Sequence, residues 1–232
     1  MHIQKGRLLP NTKFKTACLV VKGNSEGPSM MITAGVHGKE LASIYAAERF
    51  VGMLKREELL IHKGLVVIIP LVNRIAYKLR IRGKPDLNRT FPKNPSDYSR
   101  HPISNAIYQL AMRIRPEWYI DLHEANGLSQ LNPKVLGQTL IVDPKSPAIT
   151  IAKSIALNMN RSIKSSTRHF MVRQRNLPGS GRSAAFRCFQ AKSITVETSW
   201  ELPFHERVNY QMSILLSILK EASIIQPQPF SM

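Results

Sequence analysis

Within GVHGKE, residues 35–40, a histidine and a glutamate stand three apart where an apolar run ends and a helix-like stretch begins. That spacing brings both side chains to one side of a helical turn. An imidazole and a carboxylate so placed, His37 and Glu40, can share one zinc ion. Gly35 and Gly38 flank the histidine and let the backbone turn sharply and approach a ligand closely. His123 ends a second strand-like run, WYIDLH. It can complete the two-histidine, one-carboxylate ligation of catalytic zinc, which keeps a fourth position for water. Asp121, two residues earlier on the same strand face, can accept from that imidazole and orient it. Singly, an H-x-x-E pair and a histidine at a strand end are common structural features. Their value lies in the combination.

Glu197, in ITVETSW, ends a third strand-like run. A carboxylate in an apolar pocket beside a metal's water can act as general base and then general acid. Glu124 and Glu201 are rivals for that role, expected a little past the strand ends. DLNRTFP, residues 86–92, lies inside a long irregular stretch. Its Asn88 and Arg89 offer an amide and a guanidinium fork, a pair suited to a substrate carboxylate. Arg80 and Arg82, just upstream, can place positive charge against an oxygen that turns anionic during reaction. The plainer alternative pairs these arginines with Asp86 or leaves them in solvent. His2, His62, His101, His169 and His205 lack comparable context and read as surface or packing residues.

The elements that must hold these residues follow from periodicity. Residues 16–23 and 29–35 read as buried strands joined by the polar turn NSEGP. Residues 39–56 read as a helix, with Leu41, Ile44, Ala47, Val51 and Leu54 along its buried stripe. A strand at 64–72 is apolar on both faces, as in a sheet covered on both sides. Residues 73–103 read as a long loop, and loops of that length are often functional. Then come a helix at 104–113, strands at 117–124 and 137–143, a helix at 146–160 opened by Ser-Pro, a strand at 193–199, and a last helix at 204–222. The alternation predicts an α/β three-layer sandwich, with a central mixed, largely parallel sheet and helices on both faces. Sites in such sheets gather at the carboxyl ends of strands, where the candidate residues fall.

Composition narrows the class further. A chain of 232 residues with 43% apolar content can bury a core without disulfides. Its two cysteines, Cys18 and Cys188, cannot make a thiolate zinc site by themselves. The N-terminus lacks a signal-peptide core, and the longest apolar run, LVVIIPLV, falls far short of the roughly 20 residues of a membrane span. A cytoplasmic protein with no membrane span is the expectation. The net charge is +18, and residues 144–196 carry ten basic side chains and no acidic one. Such a field draws anions: nucleic acid, acidic lipid, or a carboxylate-bearing substrate. No recognised nucleic-acid motif accompanies it, so a basic nucleic-acid-binding protein stands as the alternative from another class.

GVHGKE, DLNRTFP, DLH and TVET, in that order, resemble the zinc carboxypeptidase superfamily, closest to its succinylglutamate desuccinylase/aspartoacylase branch. The resemblance runs from about residue 17 to 200. It implies that His37, Glu40 and His123 hold one zinc ion per chain and that Glu197 is the catalytic glutamate. It implies that Asn88 and Arg89 grip a substrate carboxylate and that Arg82, with Arg80 close behind, polarises the scissile carbonyl. The implied activity removes an acyl group from a carboxylate-bearing N-acyl amino acid. The alternative is a carboxypeptidase acting at a peptide's free carboxyl end. Two departures stand out. Asn73-Arg74 replaces the Asn-Pro usual in the acylase branch. Residues 223–232 are too few for the extra C-terminal β domain of aspartoacylase-like members, so 1–232 is expected to form a single hydrolase domain.

Overall fold

The computed structural model describes residues 1–226. In chain order the strands are β1 (His2–Leu8), β2 (Thr16–Lys22), β3 (Ser25–Ala34), β4 (Lys63–Ile69), β5 (Trp118–Ala125), β6 (Thr139–Val142), β7 (Met171–Gln174) and β8 (Lys192–Ser199). The helices are α1 (Leu41–Lys55), α2 (Arg74–Leu79), α3 (Pro102–Ile114), α4 (Ala148–Arg161), α5 (Gly181–Phe189) and α6 (Phe204–Glu221). All eight strands join one mixed sheet in the order β1-β2-β4-β3-β5-β8-β6-β7. Its middle, β4-β3-β5-β8, is parallel, and β1, β2 and β6 pair antiparallel to their inner neighbours. This is the expected α/β sandwich.

The strand runs explain the layers. Met31, Val67 and Tyr119 point to one face of the sheet, while Ile32, Ile68 and Ile120 point to the other. The first face packs against Ile103 and Ile107 of α3 and Ala184 of α5. The second packs against Phe50 and Leu54 of α1, Ile155 of α4 and Leu215 of α6. Of the stripe expected on α1, Ile44, Ala47 and Leu54 are fully buried, and Leu41 and Val51 partly so. A parallel pair needs a crossover connection, usually a helix. Here α1 carries the chain from β3 to β4, and β3, β5 and β8 end side by side on one rim of the sheet.

Several elements depart from the sequence reading. β2 and β3 are not neighbours, because β4 lies between them, and Ser25–Pro28 extend β3 rather than turn. β1 and β7 were not expected; both are sheet edges with no continuous apolar run. The predicted loop at 73–103 contains α2 and a 3-10 turn at Leu87–Arg89. α5 was also unread. Cys18 and Cys188 are free. No helix among the described residues is long and apolar enough to cross a membrane. Of the tail at 223–232, residues 227–232 lie outside the described residues.

Candidate metal centre and active site

The rim at the ends of β3, β5 and β8 collects the candidate residues. After Ala34 the chain turns through Gly35, whose φ of +67° suits glycine. Backbone bonds from Val72 N to Ala34 O and from Asn73 N to Gly35 O, both 2.9 Å, pin this turn to the end of β4. Gly38 sits against α2 so closely that a Cβ there would meet the Ala76 carbonyl carbon at 1.9 Å. That close approach brings His37 inward. Glu40 occupies the N-cap of α1, yet its side chain makes no capping bond. It turns to the histidines instead.

His37, Glu40 and His123 are each at most 2% exposed. His37 Nδ1 lies 2.6 Å from Glu40 Oε1, and His123 Nδ1 lies 2.8 Å from Glu40 Oε2. The outer nitrogens also meet carboxylates. His37 Nε2 is 2.9 Å from Asp86 Oδ1. His123 Nε2 is 3.0 Å from Asp121 Oδ2, off the line of a well-aligned hydrogen bond. Thr33 Oγ1 donates to the other Asp121 oxygen at 2.7 Å. A carboxylate on Nε2 fixes the tautomer that leaves Nδ1 free to ligate. One ring nitrogen of each histidine and a Glu40 oxygen lie within 4.8 Å of one another. This donor set fits zinc.

The electrostatics agree with a place for positive charge. Burial pushes the Glu40 carboxyl up, but His123 and His37 outweigh it and hold it down at about 2. Burial disfavours the charged form of His123, yet Asp121 and Glu40 raise its pKa well above the ordinary value. His37 is raised in the same way, by Glu40 and Asp86 against burial. Three carboxylates meet the two imidazoles, a balance that a divalent cation would complete.

Glu197 lies directly across from His123 in the β5–β8 register. It opens into a cavity of about 400 Å³ that also reaches His37 and Glu40. Burial pushes its carboxyl up to about 8, with Glu40 adding to the rise and His123 opposing it. Arg82, Arg89, Arg175, Arg182, Lys39 and Trp200 line the same cavity, with Leu136, Ile141 and Leu177 as an apolar wall.

The loop residues divide. Asn88 is buried; its Oδ1 accepts from Gly181 N at 3.1 Å, which leaves the amide nitrogen toward His123. Arg89 lines the cavity and spends one nitrogen on Asn88 O at 2.6 Å. Arg82 also lines it, but its Nε and an Nη lie 3.1 and 2.9 Å from Asp86 Oδ2. The plainer alternative of pairing with Asp86 therefore holds for Arg82 at the same time as a place at the cavity. Arg80 lies apart from the cavity. It ends α2 in a left-handed conformation, stacks 4.2 Å over Tyr77 and does not line the cavity. The short turn that follows α2 carries Arg82 to the site and leaves Arg80 on the helix.

Sequence reasoning passed over other residues here. Asp86 joins His37 to Arg82; burial opposes its charge, but His37 and Arg82 outweigh burial and hold it well below the carboxylate range. Its only signal was its place at the head of DLNR. Glu124, set aside as lying beyond its strand, is inside β5 and buried. Its oxygens are taken by Ala42 N at 2.7 Å and Arg207 at 2.5 Å. Arg182 is 1% exposed and pairs with Asp143 and with Arg175 O. Nothing in the acid-free span marked it from its nine basic companions.

Comparison with known proteins gives this geometry a family. The description "Succinylglutamate desuccinylase/Aspartoacylase catalytic domain" matches residues 26–208. An N-alpha-acetyl-L-2,4-diaminobutyric acid deacetylase of Halomonas elongata is 29% identical over 118 residues, covering 49% of this chain and 33% of the relative. A succinylglutamate desuccinylase of Erwinia tasmaniensis is 26% identical over 188 residues, covering 76% of this chain and 53% of the relative. The chain thus spans from a third to about half the length of these curated relatives. Among solved structures, product-bound cell shape determinant Csd4 of Helicobacter pylori superposes with a TM-score of 0.74 at 18% identity, covering 89% of this chain and 55% of that one. That likeness concerns the fold. With most of its length matched and the motif residues gathered on one rim, the chain belongs to the succinylglutamate desuccinylase/aspartoacylase catalytic-domain family.

Proposed function

We propose that this chain is a zinc-dependent amide hydrolase, a single domain that removes the acyl group from a carboxylate-bearing N-acyl amino acid. One observation carries the reading: a ring nitrogen of His37, one of His123 and a Glu40 oxygen lie within 4.8 Å of one another, and His37, Glu40 and Glu197 line one arginine-bearing cavity. Zinc held by His37, Glu40 and His123 would supply acidification of water toward a pKa of ~7 and polarisation of a carbonyl.

The chain's own groups account for the rest. Asp86 and Asp121 keep the two imidazoles in the ligating tautomer. Glu197 accepts a proton from the attacking water and delivers it to the leaving nitrogen. Arg82 donates to the carbonyl oxygen as negative charge builds there. Arg89 and the Asn88 amide hold the substrate carboxylate and set its register. The wall of Leu136, Ile141 and Leu177 excludes water from the acyl group.

Cleavage of a peptide at its free carboxyl end would use the same groups, and it is the alternative within this chemistry. The curated relatives, a deacetylase and a desuccinylase, favour acyl removal. A panel of N-acyl amino acids and short peptides, offered to zinc-loaded and chelated protein, tests the proposal. Release of free amino acid from the acyl substrates, by the loaded protein alone, is expected. Hydrolysis of neither class after zinc loading would overturn it.

A further inference from the structure

The last helix, α6, buries an apolar face made by Val208, Met212, Leu215, Ile218 and Leu219. Two polar side chains interrupt that face. Gln211 is fully buried, and Arg207, one helical turn earlier, is mostly so. Both reach the end of β5. Gln211 Nε2 donates to the backbone carbonyl of His123 at 2.6 Å and to Thr198 Oγ1 at 3.1 Å. Arg207 donates to Glu124 at 2.5 Å. Glu124 points to the helix-covered face opposite His123, at the end of the row Ile120, Leu122, Glu124.

From Glu124 the connection continues to α1. Its second oxygen accepts from Ala42 N at 2.7 Å, in the first turn of that helix. The N-cap there is Glu40, whose carboxylate is committed to the two histidines and makes no cap. A helix start leaves backbone donors that need acceptors. A carboxylate from β5 takes one of them, and Glu40 stays free for the centre. Phe204 adds an edge contact to Tyr45 of α1, with ring centroids 5.2 Å apart. Neither polar side chain is fully satisfied: Gln211 Oε1 and Arg207 Nε have no hydrogen-bond partner among the described residues. A leucine at 211 would avoid that penalty and extend the apolar face.

We propose that Arg207 and Gln211 are positioning residues for the metal centre. Gln211 holds His123 through its carbonyl, and Arg207 holds Glu40 through Glu124 and the start of α1. This rests on the metal-site reading above, and its test reads metal affinity rather than turnover. The intact chain is stripped with a chelator, and zinc binding is measured by competition with a zinc-binding dye. Gln211→Leu and Arg207→Leu are expected to weaken zinc binding by about tenfold or more, the effect typical of lost outer-shell support. Arg207→Lys keeps the charge at Glu124 and should recover most of the affinity. Leu215→Ala, a cavity on the same helix face, should lower Tm yet leave affinity within about twofold of wild type. Wild-type affinity in both Gln211→Leu and Arg207→Leu would overturn the proposal. So would an equal loss of affinity in Leu215→Ala at matched Tm. Should Arg207→Leu fail to fold, Gln211→Leu against Arg207→Lys gives the same discrimination. A wild-type chain that takes up no zinc is a separate result, which overturns the hydrolase reading itself.

Discussion

Glu197 lies across from His123 and Asp86 bonds His37, yet the protein drives their proton affinities apart. Burial lifts Glu197 to about 8, whereas His37 and Arg82 hold Asp86 well below the carboxylate range. One is built to carry a proton and the other to remain an anion. Glu197→Gln is therefore expected to retain one zinc per chain by elemental analysis while kcat falls by about 10²–10⁴-fold, the usual worth of a general acid–base. The same shift makes a stability prediction for the chelated chain. Between about pH 4.5 and 8 the unfolded glutamate has lost its proton and the folded one keeps it, so stability falls as pH rises through that window. Glutamine cannot lose the proton. The Tm of Glu197→Gln should match wild type near pH 5 and exceed it above pH 8. His37, Glu40, His123, Asn88 and Arg89 were legible as candidates because short motifs carry them. The link from Asp86 to His37 was not, since 49 residues separate them and only the folded loop brings them together. Glu124 was misjudged although the strand predicted at 117–124 already contained it, because the motif reading stopped at His123.

At the scale of elements, the strands and long helices were legible because their apolar positions repeat with clear periods. β3, α1, β4, β5, β8 and α6 all lie near their expected places. α5 was not, and its residues say why. It opens with Ser-Gly-Arg-Ser, which reads as loop, and Arg182 occupies its buried side. What holds α5 is a polar cluster. Arg182 reaches Asp143 at the end of β6, Ser183 Oγ donates to the same carboxylate at 2.9 Å, and Ser180 caps the helix. Burial raises the Asp143 pKa and lowers that of Arg182, against the attraction between them. Desolvation thus outweighs pairing, as is usual for a buried ion pair. Removing one partner should then be far worse than removing both. Asp143→Ala is expected to cost about 3–5 kcal/mol in urea unfolding, since it leaves a guanidinium buried without a counter-charge. Asp143→Leu with Arg182→Met should recover much of that loss. A single variant no worse than the double would show that the pair does not hold α5 in place.

The charge of the whole molecule was legible as a number but not as a distribution. Of its fifteen acidic residues, Glu40, Asp86, Asp121, Glu124, Asp143 and Glu197 are drawn into the site or the pairs that support it. Of its 33 lysines and arginines, Arg182 is buried and the rest reach solvent. The exterior is therefore more positive than the net +18 conveys, and no sequence count could show which acids fold inward. The cavity mouth shares that sign through Lys39, Arg82, Arg89 and Arg175. A positive surround concentrates anions and speeds their capture, and added salt screens it over about 10 Å at 0.1 M. Substrate capture should then be salt-sensitive while the chemical step, inside the cavity, is not. For a dianionic N-acyl amino acid, kcat/KM is expected to fall several-fold between roughly 0.02 and 0.5 M salt, with kcat nearly constant. The matching amide, with its carboxylate neutralised, should show a flatter response at a lower kcat/KM. The rival role in nucleic-acid binding makes a different demand on the same titration. Duplex DNA would have to bind with a steep log–log salt slope from released counterions and inhibit at moderate salt. A kcat/KM that ignores salt, beside strong inhibition by DNA, would assign the positive surface to a polyanion and not to the substrate.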